Sequence, residues 1–341
     1  MIHKDQKTLE RYRKDLVEIL AEAEVPPESQ IYQEMLYNIA QLKEEKLDVQ
    51  ELRLLNTAFK ELRYAMKVFK PYRMIPKAAV FGSARTPKTH PNFKFAAEFG
   101  AKLAKKGWML ITGGASGIME AAMIGAGAEN SFGLNILLPF EQSANAVILG
   151  NEKLIFFKYF FTRKLMFLKE SQATVLFPGG FGTFDEGFES FTLVQTGKAK
   201  PRPLIVADPP KSRFWSTMMR YLRLHLESDG LISHGDLELI RHFQDADAAV
   251  DELRHFYSNY DSSRFFKDKY LIRVRRPLPA GELGRLGHLF GGILTHGSFE
   301  RMEDVSEDDV KDPSLERIVF HFDKSSYSRL RLLIDHLNRL P

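Results

Sequence analysis

The chain has 341 residues, 44% hydrophobic and 27% charged, with a net charge of +4 and no cysteine. That composition fits one large globular domain with one or two small additions, and it excludes disulfides and thiolate-bound metals. No run approaches the ~18 apolar residues of a membrane helix, and the opening MIHKDQKTLERYRKDLVEIL is charged and helix-patterned rather than signal-like. The expectation is a cytoplasmic protein with no membrane partner. Its mild positive charge, without a basic stripe, suits a small anionic ligand better than nucleic acid.

Three regions separate along the chain. Residues 1–72 read as an N-terminal helical segment: Leu9, Tyr12, Leu16, Ile19 and Leu20 recur at helical spacing before Pro26-Pro27. A second apolar face follows through Ile31, Met35, Ile39 and Leu42, then a third helix over 49–68. Residues 73–262 alternate strands and helices. KAAVFGS (77–83), WMLIT (108–112), GLNILL (133–138), ATVLF (173–177), PLIVAD (203–208) and the segment around LELIRHF (237–243) read as strands. Between them fall helices over 93–106, from about 118, over a Phe-rich stretch near 153–170 and after residue 182. This order predicts an α/β fold, a Rossmann-like doubly wound parallel sheet covered on both faces. Residues 263–341 predict a small α+β domain in the order β-α-β-β-α, either regulatory in the manner of an ACT module or serving packing and oligomerisation. No repeat or low-complexity segment interrupts the chain.

Glycine-bearing loops follow three of the strands, at 82, 113–117 and 179–182. Ligands of doubly wound sheets sit beyond the carboxyl ends of the strands, so these loops are expected to converge on one cleft. The most informative is PGGFGTFDE (178–186). A Walker A loop requires Lys and Ser/Thr after its last glycine, and Gly182 is followed by Thr183-Phe184. A dinucleotide loop requires a third glycine where this chain has Asp185. The remaining reading is a backbone nest for one anionic group, with Gly179, Gly180 and Gly182 at positive φ and the Thr183 hydroxyl at the start of a helix. A tight βα turn with Thr183 as helix cap is the alternative. On the helix, Phe184, Phe188 and Phe191 are spaced to face the sheet, with Glu186 and Glu189 on another face. Acids in a first helical turn are also ordinary dipole partners, so spacing alone leaves Glu186 open between that role and catalysis. No His-x-x-x-His pair suggests a metal, and Arg163-Lys164 reads either as a solvated patch or as a cleft wall beside Tyr159-Phe160-Phe161.

PGGFGTFDE resembles the PGGxGTxxE motif of the LONELY GUY family of nucleoside 5′-monophosphate phosphoribohydrolases, often mislabelled lysine decarboxylases. VFGSAR (80–85), ITGGASGIMEAA (111–122), GLNILLPFEQSAN (133–145), YFFTRKLMF (159–167) and TLVQTGK (192–198) extend the resemblance over roughly residues 77–258. It is closest to larger bacterial members with N- and C-terminal extensions. The resemblance implies cleavage of the N-glycosidic bond of AMP or a cytokinin riboside monophosphate, giving free base and ribose 5-phosphate. No cofactor or metal is implied, and the assembly is a homodimer or higher homo-oligomer. It places the catalytic pair on Arg163 and Glu186. Substrate contacts fall on Glu141, Lys164, Gly179, Gly180, Phe181, Gly182, Thr183, Asp185 and Thr192, and Gly82, Ser83, Gly113, Gly114 and Glu120 line the cleft. Ala115-Ser116 departs from the usual Gly-Pro. The competing expectations are a non-enzymatic nucleotide or molybdenum-cofactor carrier, and a regulatory protein built on the same scaffold.

Overall fold

The computed structural model describes residues 14, 18, 30–137, 144–302, 304, 306, 308, 310 and 312–341. The helix expected around Leu9–Leu20 and the Pro26-Pro27 break lie outside the described residues, as does Glu141. The chain divides into two compact units, Met1–Arg63 and Tyr64–Pro341. In the first, α1 (Gln30–Glu44) buries none of its residues, and α2 (Val49–Phe69) begins. Asp48 starts α2 with a capping box: its Oδ1 accepts from Glu51 N at 2.9 Å, and Glu51 Oε2 accepts from Asp48 N at 2.8 Å. Two of the four orphan amides of the helix start are thereby satisfied.

The second unit carries a seven-stranded parallel sheet in the order β4-β3-β2-β1-β5-β6-β7. Its strands are β1 (Lys77–Phe81), β2 (Met109–Thr112), β3 (Ser131–Ile136), β4 (Leu154–Phe157), β5 (Ala173–Leu176), β6 (Leu204–Ala207) and β7 (Ile240–Phe243). The covering helices are α3 (Pro91–Lys105), α4 (Ile118–Ala126), α5 (Phe160–Glu170), α6 (Phe181–Gln195), α7 (Phe214–Tyr221) and α8 (Ala246–Phe256). β1 and β2 are almost wholly buried, as a parallel sheet covered on both faces requires. The chain moves outward from β1 to β4, then returns to place β5 against the other side of β1. The direction of winding therefore reverses between β1 and β5, and the crevice at their carboxyl ends is the natural ligand position.

Two strands were not foreseen. LIFF (154–157) was expected at the start of the Phe-rich helix but forms edge strand β4, and the helix begins only at Phe160. A short apolar run carries no period that separates strand from buried helix. In the C-terminal part, β8 (Tyr260–Phe266) pairs with β9 (Lys269–Val274), and α9 (Glu282–Phe290), β10 (Glu300–Arg301), β11 (Glu316–Phe320) and α10 (Tyr327–Arg339) follow. The order is β-β-α-β-β-α around an antiparallel sheet β10-β11-β9-β8, not the expected β-α-β-β-α. YDSSRFF has a polar centre and lacks the alternation that announces a half-buried strand.

The C-terminal sheet shares one compact unit with the parallel sheet. Arg331 of α10 is buried between Glu252 of α8 and Asp335, to which its Nε donates at 2.9 Å. The Asn338 side chain accepts from the amides of Asn259 and Tyr260 at 3.1 and 2.7 Å. At the far end of α6, the turn at Gly197 lies so close to the Tyr327 hydroxyl that an added Cβ would sit 1.8 Å from it.

The helix pair α3/α4, which holds the loop after β2 in place, depends on small residues. A Cβ on Gly125 would lie 1.9 Å from the Ala97 carbonyl oxygen, so the two backbones touch there. Substituting Gly125→Val forces the helices apart. Overpacking of this kind costs about 1–3 kcal/mol, and urea unfolding should show a matching fall in midpoint with an unchanged slope.

Candidate functional site

The loops after β1, β2 and β5 are bonded to one another before any ligand is considered. Ser83 N donates to the Pro178 carbonyl at 3.2 Å, Ile118 N donates to the Ser83 carbonyl at 3.0 Å, and the Ser116 hydroxyl donates to the Ala84 carbonyl at 2.8 Å. They enclose an open cleft of about 610 Å³ at the switch between β1 and β5. Of the residues singled out in the sequence, Gly82, Ser83, Gly113, Arg163, Gly180, Phe181, Gly182, Thr183 and Glu186 line it.

The glycine loop is built differently from the expected nest. None of Gly179, Gly180 and Gly182 has a positive φ. Gly180 is the residue before α6, with φ −95°, and Thr183 is in the helix rather than capping it. Gly179 is small because a Cβ there would meet the Thr183 side chain at 2.0 Å and Ser83 N at 2.9 Å, whereas Gly180 and Gly182 face open space. The loop is thus a bare helix N-terminus opening on the cleft, where unpaired amides and the helix dipole favour an anion. Among the described residues the Thr183 hydroxyl has no hydrogen-bond partner, so it remains available at the same place.

The next turn of α6 carries the acid. The fully buried residues of α6 are Thr183, Glu186, Gly187, Ser190 and Val194, while Phe184, Phe188 and Phe191 are less deeply covered and line a small cavity with Leu176 of β5 and Val206 of β6. A Cβ on Gly187 would stand 2.5 Å from a Leu176 methyl of β5, so the helix lies very close to the sheet at this point. Phe184 also packs with Phe214 and Trp215 of α7. Glu186 is left 6% exposed at the cleft wall. Burial raises its pKa above that of an ordinary glutamate, against the opposing pull of Lys164 and Arg163.

Arg163 stands on α5, across the cleft. Its guanidinium lies over the Phe160 and Phe167 rings at 5.0 and 5.8 Å and meets Glu186 Oε1 at only 3.5 Å. Its Nε is buried without a hydrogen bond. Burial lowers its pKa, with Glu186 acting in the other direction, and an arginine remains charged at neutral pH. A desolvated cation with unfilled donors is costly unless something else completes its shell.

Other predicted positions lie elsewhere. Lys164 is held by Glu189 at 2.7 Å and Asp185 at 2.9 Å and also meets Glu186 Oε2 at 3.5 Å, outside the cleft lining. Burial works against its charge, yet those bonds outweigh it and the net pKa shift is upward. Glu120 pairs with Lys88 at 2.8 Å. The Gly114 carbonyl accepts from Asn145, Gly179 is taken up in loop packing, and Thr192 is exposed well along α6. Ala115 and Ser116 do not line the cleft, and the Ala115 carbonyl is bound by Asn145 Nδ2 at 3.0 Å. Sequence reading passed over Arg85 and Met119, which do line it. A second concavity, about 670 Å³, lies on the C-terminal sheet, but there Lys269 pairs with Glu300 and Arg301 with Glu316 at 2.6 Å each.

Residues 116–253 match a family model described as "Possible lysine decarboxylase". A cytokinin riboside 5′-monophosphate phosphoribohydrolase of Mycobacterium tuberculosis is 29% identical over 130 residues, which are 37% of this chain and 67% of that protein. Among solved structures, the molybdenum cofactor binding protein of Rippkaea orientalis is 18% identical with a TM-score of 0.38, covering 53% of this chain and 96% of that one. The molybdenum cofactor carrier protein of Chlamydomonas reinhardtii is 21% identical with a TM-score of 0.37, also covering 53% and 96%. The family match begins in the loop before α4 and ends within α8, so it includes β5 and the glycine loop but neither β1 nor β2. Over residues 116–253 the chain is therefore similar to the group that this model describes as possible lysine decarboxylases.

Proposed function

We propose that the protein hydrolyses the N-glycosidic bond of a nucleoside 5′-monophosphate, of the AMP or cytokinin riboside type, releasing free base and ribose 5-phosphate. The observation that carries this reading is the buried pair across the cleft: an arginine with unfilled donors and a carboxylate with a raised pKa, one helical turn beyond an anion-binding helix terminus. A carrier can use the glycine loop but has no need of a desolvated carboxylate beside it.

The chemistry follows from the placement. The 5′-phosphate binds at the start of α6, and side chains of a helix lean toward its N-terminus, which brings the Glu186 carboxylate toward the sugar. As the base leaves, positive charge develops on the ribose, and a carboxylate in a water-poor wall stabilises it far better than one in water. A raised pKa also makes Glu186 a better acceptor for the proton of the attacking water. Arg163 binds and orients a ribose hydroxyl. It is too weak an acid to protonate the base.

Incubation with a panel of nucleoside monophosphates should release free base and ribose 5-phosphate, and Glu186→Gln should reduce kcat by about 10³-fold. Absence of release from every nucleotide would overturn the hydrolase reading. Because Glu186 acts as a carboxylate, kcat/KM should fall on acidification through a pKa above 4.5, the ordinary glutamate value, a limb that a pH profile reads directly.

The same shift has a stability consequence of opposite sense. A carboxyl whose folded pKa is raised disfavours the fold once ionised, and the cost vanishes below pH 4.5, where both folded and unfolded forms are protonated. Glu186→Gln should therefore have a higher Tm than the unaltered protein at pH 7 and no advantage near pH 4. A lower Tm at pH 7 would show that pairing with Arg163 outweighs burial.

We also propose a homodimer through the sheet edge at β4. Phe156 of β4 and Phe160, Phe161 and Leu165 of α5 are large apolar residues about half exposed on neighbouring elements, a patch of the kind interfaces use. Phe161→Asp should convert the species seen by light scattering to a monomer, and an unchanged mass would remove this face as the interface.

A further inference from the structure

We propose that Arg85 is the residue that reads the 5′-phosphate, leaving Arg163 to the sugar, so that the cleft selects phosphorylated over unphosphorylated substrates through a cation on the loop after β1. The proposal rests on the nucleotide reading above and adds a specificity residue to it.

The first support is charge. A phosphate monoester carries about −1.5 to −2 at neutral pH, whereas a helix N-terminus offers the equivalent of roughly +0.5. The start of α6 therefore leaves most of that charge uncompensated, and a full positive charge must come from a side chain. Arg163 is poorly placed to supply it: its own charge already faces Glu186 at 3.5 Å, and it stands among the aromatic rings of α5. Lys164 is taken up by Asp185 and Glu189, and Lys88 by Glu120. Arg85 differs from all three. It lines the cleft, its side chain is exposed, and among the described residues it has no acidic partner and no side-chain hydrogen bond.

The second support is position. The loop that bears Arg85 is bonded directly to the glycine loop through Ser83 N and the Pro178 carbonyl, and the missing Cβ of Gly179 allows that contact. On its other side the loop is held by Ile118 N and the Ser116 hydroxyl, and within it Arg85 N donates to the Ser83 hydroxyl at 3.1 Å. A planar guanidinium on so anchored a loop can make a two-pronged contact with phosphate oxygens. The unaligned departure at Ala115-Ser116 then has a role: the Ser116 hydroxyl fixes the Ala84 carbonyl, and so the loop from which Arg85 extends.

Three proteins decide the matter: the unaltered chain, Arg85→Ala and Arg85→Lys. Their kcat/KM is measured with a nucleoside 5′-monophosphate and the matching nucleoside, and their affinity for ribose 5-phosphate by calorimetry, which needs no turnover. Charge-assisted hydrogen bonds are worth about 1.5–3 kcal/mol, so Arg85→Ala should lose about 10- to 100-fold in both nucleotide kcat/KM and ribose 5-phosphate affinity. Its loss on the nucleoside should be much smaller than on the nucleotide, its Tm should be unchanged, and Arg85→Lys should recover part of the loss. An unaltered chain that cleaves nucleotides, with Arg85→Ala equal to it in both measurements, overturns the role of Arg85 while the hydrolase reading stands. Ribose 5-phosphate binding that Arg85→Ala abolishes, in a chain that cleaves nothing, supports Arg85 and removes the hydrolase. Neither cleavage nor binding by the unaltered chain overturns both.

Discussion

Everything at the cleft depends on how closely α6 sits on β5. With no side chain at residue 187, the helix approaches the sheet until Leu176 fills the space a Cβ would take. That closeness turns Glu186 inward, where it would otherwise be one more solvated acid in a first helical turn. A carboxylate removed from water interacts more strongly with every nearby charge, and its proton affinity rises. The raised proton affinity of Glu186 is thus a packing property before it is an electrostatic one.

The remaining parts are placed by the winding of the sheet. Because β5 returns to the other side of β1, two loops far apart in sequence become neighbours, and the Ser83–Pro178 bond fixes them together. α5 reaches the same crevice from the far edge of the sheet and brings a cation with an incomplete hydrogen-bond shell. Cation and carboxylate are held 3.5 Å apart, near enough to influence one another and too far for a strong bond. Each therefore retains free energy to spend on a ligand, as preorganised polar groups do.

Much of this was legible in the residues. Alternating apolar runs and helical faces announced the parallel sheet, and glycines at strand ends marked its ligand side. What the pattern could not supply was partners. Phe184, Phe188 and Phe191 have the spacing of a buried stripe, but apolar spacing says only that a face is covered, not by what. With the small residues Gly187 and Ser190 buried, the aromatic residues of α6 are shared between β5, β6 and α7. β4 escaped because LIFF is as compatible with a helix as with a strand, and β8 because its middle is polar. The glycines of the loop suggested a left-handed nest, whereas the structure gives a bare helix start that needs no left-handed φ. Arg85 lies in a loop without periodicity, and only its lack of a partner among the described residues sets it apart.

The contact between Gly197 and Tyr327 carries a consequence for how such a chain is modified over evolutionary time. α6 extends from the cleft to that turn, so the helix bearing Glu186 is clamped at its far end by a phenol from the C-terminal helix. Residues 263–341 are therefore not a detachable module that recombination can exchange for another. Any replacement must bring its own group to fill the space over Gly197, and another to take the place of Arg331 between Glu252 and Asp335. A change on either side of these contacts must therefore be matched on the other.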